Sequence, residues 1–222
     1  IAFIAVNKQQ FDSDNSPIAG ANNRVFGLDY NLQSPDGRHR GKFFYHHSFS
    51  GATNDYTHAS WYMYNTRKFA FHWNHEYVGK DYKADVGFVP RVQNYNSETG
   101  EFEYKTYWRL EPSFTYRHYP KKGKITFIAP EIYFSEYYDA DFSPTETRLS
   151  PSVYVQMKDR SEFSIAAGYN QVRLLFDTDI TFSGNRPHTP GFYSFNDISV
   201  SYNSTPVKLL NYDVSVKYGQ YY

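Results

Sequence analysis

The chain has 222 residues, no cysteine, and 23 basic and 23 acidic residues, which gives a formal net charge of zero. The lack of cysteine excludes a disulfide scaffold, a thiolate metal site and a cysteine nucleophile. The charge balance argues against a nucleic-acid-binding protein, which usually has a basic excess. The 45 aromatic residues outnumber the 30 isoleucines, leucines and valines, although soluble cores are built largely from aliphatic residues. Because aromatic rings with a polar tip suit a boundary between hydrocarbon and water, this composition favours a membrane interface.

Apolar and polar residues alternate with a period of two over long stretches, and no amphipathic helical stripe is present. Successive side chains of a strand point to opposite faces, so each of these segments has one apolar and one polar face. The alternation predicts eleven strands, at residues 1–9, 23–33, 39–49, 57–65, 68–77, 105–119, 124–138, 146–158, 162–175, 192–203 and 208–220.

The connections between these strands are predicted to alternate in length. The shorter ones are 34–37, 66–67, 120–123, 159–161 and 204–207, and the longer ones are 10–22, 50–56, 78–104, 139–145 and 176–191. An up-and-down sheet puts alternate connections at opposite ends, and short periplasmic turns with longer external loops are typical of outer-membrane barrels. We therefore predict an all-β fold for residues 1–222, an antiparallel up-and-down transmembrane β-barrel.

Eleven strands expose two edges, which a bilayer does not tolerate, and bacterial barrels usually have an even number of strands. We therefore expect these strands to be part of a larger barrel; a missed or invented strand is the alternative. The chain also begins without an initiator methionine or a basic, then apolar, leader, which indicates a mature or excised segment.

Several stretches resemble a known family. The residues that show the resemblance are 23–32, 41–49, 73–80, Ala84-Asp85-Val86-Gly87-Phe88-Val89-Pro90-Arg91 and, more weakly, 110–113 and 193–196. Together they resemble the barrel region of a Bacteroidota family called domain of unknown function 5916. Its members usually carry a carbohydrate-binding family nine-like β-sandwich ahead of the barrel. The resemblance implies a bacterial outer-membrane protein.

Hydrocarbon cannot hydrate charges, so the alternation predicts which side chains face lipid and which face the interior. The apolar set expected to face lipid is Phe26, Leu28, Tyr30, Trp108, Leu110, Phe114, Val153, Val155, Val214 and Val216. The charged set expected to line the lumen is Asp29, Arg109, Glu111, Arg117, Arg148, Asp213 and Lys217. Rings near strand ends are expected to form two belts, with Tyr45, Trp61, Trp73, Tyr77, Tyr116 and Tyr218 as candidates.

The acidic residues and the histidines are the candidates for catalytic or metal-binding groups. The adjacent His46 and His47 point to opposite faces of a strand, which disfavours a metal site. Paired carboxylates could hydrolyse a glycosidic bond, and the glutamates available are Glu111, Glu131, Glu136 and Glu146. Arg109 shares a face with Glu111 within ion-pair reach, so a ladder of lumen charges fits better. We predict no catalytic residue, no metal site and no cofactor.

The connection 78–104 is the strongest candidate for an interaction site, because loops of this length usually have a function. The candidate residues are Asp85, Gly87, Phe88, Val89, Pro90 and Arg91. Three roles stay open: an ordered lid or inward-folded plug, a docking surface, and a simple external loop.

Two non-catalytic functions stay open for the chain. One is glycan binding or uptake at the cell surface, which the resemblance implies. The other is a structural or accessory subunit of an outer-membrane secretion or barrel-assembly complex. The expected partners are outer-membrane lipid, a glycan and other outer-membrane proteins, and we expect no nucleic acid.

Overall fold

The computed structural model describes residues 1–85, 92–96, 99–179, 188–205 and 209–220. These residues form thirteen β-strands and no helix. None of them belongs to a helix with the length and apolarity needed to cross a membrane. The strands are β1 (Ala2–Phe11), β2 (Pro17–Gln33), β3 (His39–Ser50), β4 (Thr53–Asn65), β5 (Phe69–Val78), β6 (Gln93–Asn96), β7 (Glu101–Tyr104), β8 (Tyr107–Tyr116), β9 (Ile125–Tyr138), β10 (Pro144–Met157), β11 (Glu162–Leu174), β12 (Gly191–Asn203) and β13 (Asp213–Gly219).

Eleven of the strands form one antiparallel sheet in which every strand pairs with its neighbours along the chain. The order is β1-β2-β3-β4-β5-β8-β9-β10-β11-β12-β13. The prediction of an all-β, antiparallel, up-and-down sheet is therefore confirmed. In the described residues β1 and β13 are the two edges, and the sheet is not closed into a barrel.

Strands β6 and β7 form a separate hairpin within the connection from β5 to β8. The sequence pattern did not predict this hairpin, since its strands are only four residues long. Gly100, directly before β7, has a positive φ of 73°, a conformation that glycine adopts without strain.

The alternation of connection lengths is weaker than predicted. Strand β2 begins at Pro17 and β4 at Thr53, so the connections 12–16 and 51–52 are short. The polar, glycine-containing residues 18–22 were assigned to a loop, but pairing of Gln9 with Asn22 extends the hairpin into them. The long connections are 79–106 and 175–190. We call the end of the sheet with these connections the loop end, and the opposite end the turn end.

The register assigns every strand residue to one of two faces, because directly paired residues point the same way. One row of pairs runs from Asp29 through Phe44, Ala59, Glu76, Arg109, Tyr137 and Glu146 to Val172. We call the face with this row the polar face and the opposite one the apolar face. Phe26, Leu28, Trp108, Phe114, Val153 and Val216 belong to the apolar face by the same register.

The sheet has almost no conventional core. Only seven hydrophobic residues of the described chain are buried, whereas a globular domain buries a hydrophobic face between at least two layers. Rings and aliphatic side chains of the apolar face are half exposed, for example Leu28 at 55%, Ile132 at 50% and Val216 at 62%. No second layer of described residues covers this face.

Candidate functional site on the polar face

The seven charged residues predicted to line a lumen share one face of the sheet. Six of them lie in strands, and Arg117 directly follows the last residue of β8 in the same alternation. The ten residues predicted to face lipid all belong to the apolar face. The structure thus separates the two sets onto opposite faces of the sheet.

Asp29 of β2 is the centre of the first charge cluster on the polar face. Its carboxylate lies 2.8 Å from Lys42 Nζ and 3.0 Å from His46 Nε2, both on the neighbouring strand β3. A cross-strand pair of this kind forms because the register puts the three side chains side by side.

The second cluster is built around Glu111 of β8. Arg109 Nη2 lies 3.0 Å from Glu111 Oε2. Asn74 donates a hydrogen bond to the same oxygen at 2.8 Å, and the Tyr133 hydroxyl donates to Oε1 at 2.8 Å. Three strands therefore supply donors to one carboxylate, which uses most of its acceptor capacity and makes Glu111 unsuitable as a free catalytic base.

Arg109 bridges this cluster to the loop end of the sheet. Its Nη1 lies 3.3 Å from the Tyr137 hydroxyl, and its Nε lies 3.8 Å from Glu76 Oε2. The Nε is buried without a hydrogen-bond partner among the described residues, as is the hydroxyl of Tyr107. An ion pair at this distance holds the guanidinium by charge more than by a directed hydrogen bond.

A third group of polar side chains follows towards β13. Asn170 donates to Asp197 Oδ2 at 3.0 Å, and Lys217 Nζ lies 3.5 Å from the other Asp197 oxygen. Arg148 lies between this group and the Glu111 cluster, beside Ser135 in the register, and forms no ion pair with the described part of the chain. The polar face is therefore a row of partly solvated charges across seven strands or more.

Glu136 corrects one part of the sequence interpretation, which placed it with Glu111, Glu131 and Glu146 in a lumen ladder. The register pairs Glu136 with Leu110 and Thr147 on the apolar face. Its side chain is buried and accepts a hydrogen bond from Thr147 Oγ1 at 2.9 Å. The alternation of β9 puts Glu136 on the same face as Ile132 and Phe134, and so predicts the apolar face for it. Its charge had suggested the polar face.

The histidines also separate by face. His46 is on the polar face and His47 on the apolar face, as adjacent strand residues must be. On the apolar face His75 Nε2 lies 3.0 Å from His58 Nδ1, and His75 Nδ1 lies 2.6 Å from Ser60 Oγ. The described residues contain no group of three histidine, cysteine, aspartate or glutamate side chains placed to hold a metal ion.

The long connection after β5 starts with a segment that lies on the polar face. We call residues 79–85 the strap. Of the predicted interaction residues, Asp85 belongs to the strap, and Gly87, Phe88, Val89, Pro90 and Arg91 lie outside the described residues.

The strap covers two polar side chains of the sheet, Asn23 and Ser48, which are the largest fully buried side chains among the described residues. Sequence reasoning missed both. The alternation assigns both to the polar face, but nothing in their local sequence separates them from other polar residues of the same face.

Comparison with family models, with curated proteins and with solved structures gave no match for this chain.

Proposed function

We propose that the chain is an outer-membrane β-barrel segment without catalytic activity, whose apolar face contacts lipid and whose polar face lines an aqueous interior. The observation behind this proposal is the two-sidedness of the sheet. One face exposes a continuous set of large apolar side chains, and the other pairs its charges across strands. A soluble protein rarely exposes an apolar surface of this extent.

The rings of the apolar face support a membrane location, because many of them gather near the strand ends. At the loop end, successive ring centroids are 5.5, 4.9, 4.6 and 5.1 Å apart along Tyr45, Tyr56, Tyr77, Trp108 and Phe142. At the turn end, Phe69 contacts Tyr116 at 5.2 Å and Tyr62 contacts Phe71 at 6.5 Å. Such belts mark the two interfaces of a bilayer.

The separation of the two ring groups fits a hydrocarbon layer. Trp108 and Tyr116 delimit the apolar face of β8, and eight residues of strand span about 27 Å. A strand tilt of about 35–45° shortens this to a height of roughly 19–22 Å, which is of the same order as the roughly 25 Å apolar band of outer-membrane barrels. Three belt candidates do not join the two ring groups, since Trp61 lies on the polar face by register, Trp73 in the middle of β5 and Tyr218 on the edge strand.

The polar face suits a hydrated solute with many hydroxyl groups. Between β8 and β12 it forms a groove lined by Glu111, Tyr133, Glu146, Arg148 and Asn170. Carboxylate, amide, guanidinium and phenol groups can together donate to and accept from such a solute. We propose glycan binding or uptake as the function of this groove.

A second candidate function rests on the unpaired edges of the sheet. Strands β1 and β13 each present one row of backbone donors and acceptors that no described residue satisfies. In a bilayer these groups need a partner strand. A structural or accessory subunit of a larger outer-membrane complex would supply such pairing.

The location is tested with single-cysteine variants, which a thiol reagent labels at one position because the chain has no other cysteine. Ile165→Cys samples the apolar face of β11, and Ala166→Cys is its matched control on the polar face. After reconstitution into lipid vesicles, a thiol-linked fluorophore at 165 should be quenched by brominated lipid, and one at 166 by aqueous iodide. Equal iodide quenching at the two positions would contradict the proposal.

A further inference from the structure

The strap is held by one side chain from each strand that it crosses. The Asp81 N–H donates to Asp55 Oδ2 of β4 at 3.1 Å, and the Lys83 N–H donates to Ser48 Oγ of β3 at 3.0 Å. The Asp85 N–H donates to Asn23 Oδ1 of β2 at 3.2 Å. Since Asp55, Ser48 and Asn23 lie on the polar face, the strap runs across the strands on that face at the loop end.

The last contact of the strap is with β1. Asn23 adds a second hydrogen bond to the strap. The Asp85 carboxylate forms an ion pair with Lys8 Nζ at 2.9 Å. The Asn23 amide also donates to the Lys83 carbonyl at 2.9 Å, so it binds the backbone on both sides of Ala84. A side-chain amide that donates and accepts in this way orients the strap as well as holding it.

An apolar contact holds the strap from its other side. Tyr82 is buried in a small cluster with Val78, Val92 and Tyr107, the main buried apolar group near the loop end. Gly79 lets the strap begin close to β4, because a Cβ at this position would overlap the Asp55 carboxylate. Anchors of both kinds therefore follow one another along the whole strap.

We propose that the strap is a permanent constriction, which covers the loop end of the polar face over β1–β4 and does not act as a mobile gate. As far as the described residues go, solutes from the loop side then reach the polar face over the later strands, where the groove lies. The fixed position of the strap is independent of the proposed function, whereas its effect on passage through an interior rests on it.

The fixed position is tested by hydrogen exchange on the full chain in detergent. The amides of the strap should be protected in the wild type. In Asn23→Ala their protection should fall roughly tenfold or more, because two hydrogen bonds to a buried side chain are lost. The matched control is Asn31→Ala, an exposed residue on the same strand and face near the turn end. Strap amides that exchange as fast as those of the exposed turn 34–38 would overturn the proposal.

A cysteine pair tests whether the strap must move. Ser48→Cys with Lys83→Cys should form a disulfide in the folded protein, whereas Ser48→Cys with Lys121→Cys should not, since Lys121 follows β8 at the turn end. In planar bilayers, a closed barrel that contains these strands and the locked pair should conduct as the same barrel without the substitutions does, and the barrel with Asn23→Ala should conduct more. Loss of conductance on locking would show a moving gate and overturn the proposal.

The two proposals fail in distinguishable ways. A closed barrel that contains these strands but does not insert contradicts the proposed function and the constriction, while slow exchange of the strap amides would still establish a fixed strap. A chain that inserts, with fast exchange in the strap, contradicts the fixed strap alone.

Discussion

Arg109 Nη2 lies 3.0 Å from Glu111 Oε2 on the polar face, and Glu111 is the acceptor on which Asn74 and Tyr133 also converge. The side chains of Arg109 and Glu111 are only 25% and 17% exposed. Removing one partner from such a half-buried group costs more than breaking an exposed ion pair, because the remaining groups are left without a partner.

Glu111→Gln should lower the free energy of unfolding by roughly 2–3 kcal/mol, because an amide nitrogen would replace one acceptor oxygen and face donors. Glu131→Gln is the matched control on the next strand. Glu131 accepts a hydrogen bond from Thr115 at 2.7 Å and forms no ion pair with the described residues, so its replacement should cost less than about 1 kcal/mol. Urea unfolding at pH 7 measures both, and equal costs would contradict the prediction.

A charge on the apolar face should be far more costly than one on the polar face. Val153→Arg and Ser152→Arg change adjacent residues of β10 that point to opposite faces. In a bilayer the first should cost about 2–4 kcal/mol near the midplane, and the second much less, because arginine at 152 stays in water. Unfolding by urea from lipid vesicles compares the two. A greater cost for Ser152→Arg would assign the faces the other way round.

The three tryptophans should report three environments. Trp61 is on the polar face, Trp73 is near the middle of β5 on the apolar face, and Trp108 belongs to the loop-end rings. In variants that keep one tryptophan and replace the others by phenylalanine, iodide should quench Trp61 most. Lipid brominated deep in its chains should quench Trp73 most, and lipid brominated near the headgroup should quench Trp108. A common quenching pattern for all three would contradict a membrane-spanning sheet.

Particular residues show how much of the fold and of the polar face could be predicted from the sequence. Period two was enough to place Asp29 and Arg109 on one face although 80 residues separate them, because antiparallel pairing preserves parity from strand to strand. The same alternation assigns Glu136 to the apolar face, although its charge suggested the polar face. The contacts of Asn23 and Ser48 with the strap could not be predicted, since they join segments distant in sequence and have no periodic signature.

Glu136→Gln should leave the free energy of unfolding unchanged or raise it by about 1 kcal/mol at pH 7. The buried Glu136 has no ion pair with the described residues, and Thr147 is its hydrogen-bond donor. Glutamine keeps an acceptor oxygen for Thr147 and removes the group that could carry a buried charge. The control is Glu111→Gln, for which a loss is expected. Destabilisation of the Glu136 variant by more than about 2 kcal/mol would show that its charge has a partner.

Asp36, in the turn between β2 and β3, should make a small part of the stability depend on pH. The Ser34 hydroxyl, which donates to Asp36 Oδ1 at 2.6 Å, and the backbone N–H of Arg38 at 3.1 Å lower the pKa of this carboxyl below its ordinary value. The pKa is therefore lower in the folded than in the unfolded state. The stabilisation is then fully present above the unfolded pKa of about 3.9 and is lost as the pH falls through the folded value.

The test compares the unfolding midpoints of the wild type and Asp36→Ala in urea across pH. The wild type should be the more stable by a constant margin from pH 7 down to about pH 5, and the margin should shrink below about pH 4. A margin for Asp36→Ala that grows as the pH falls would mean that the ionised carboxylate is less stable in the folded turn than in the unfolded chain, opposite to the contacts with Ser34 and Arg38.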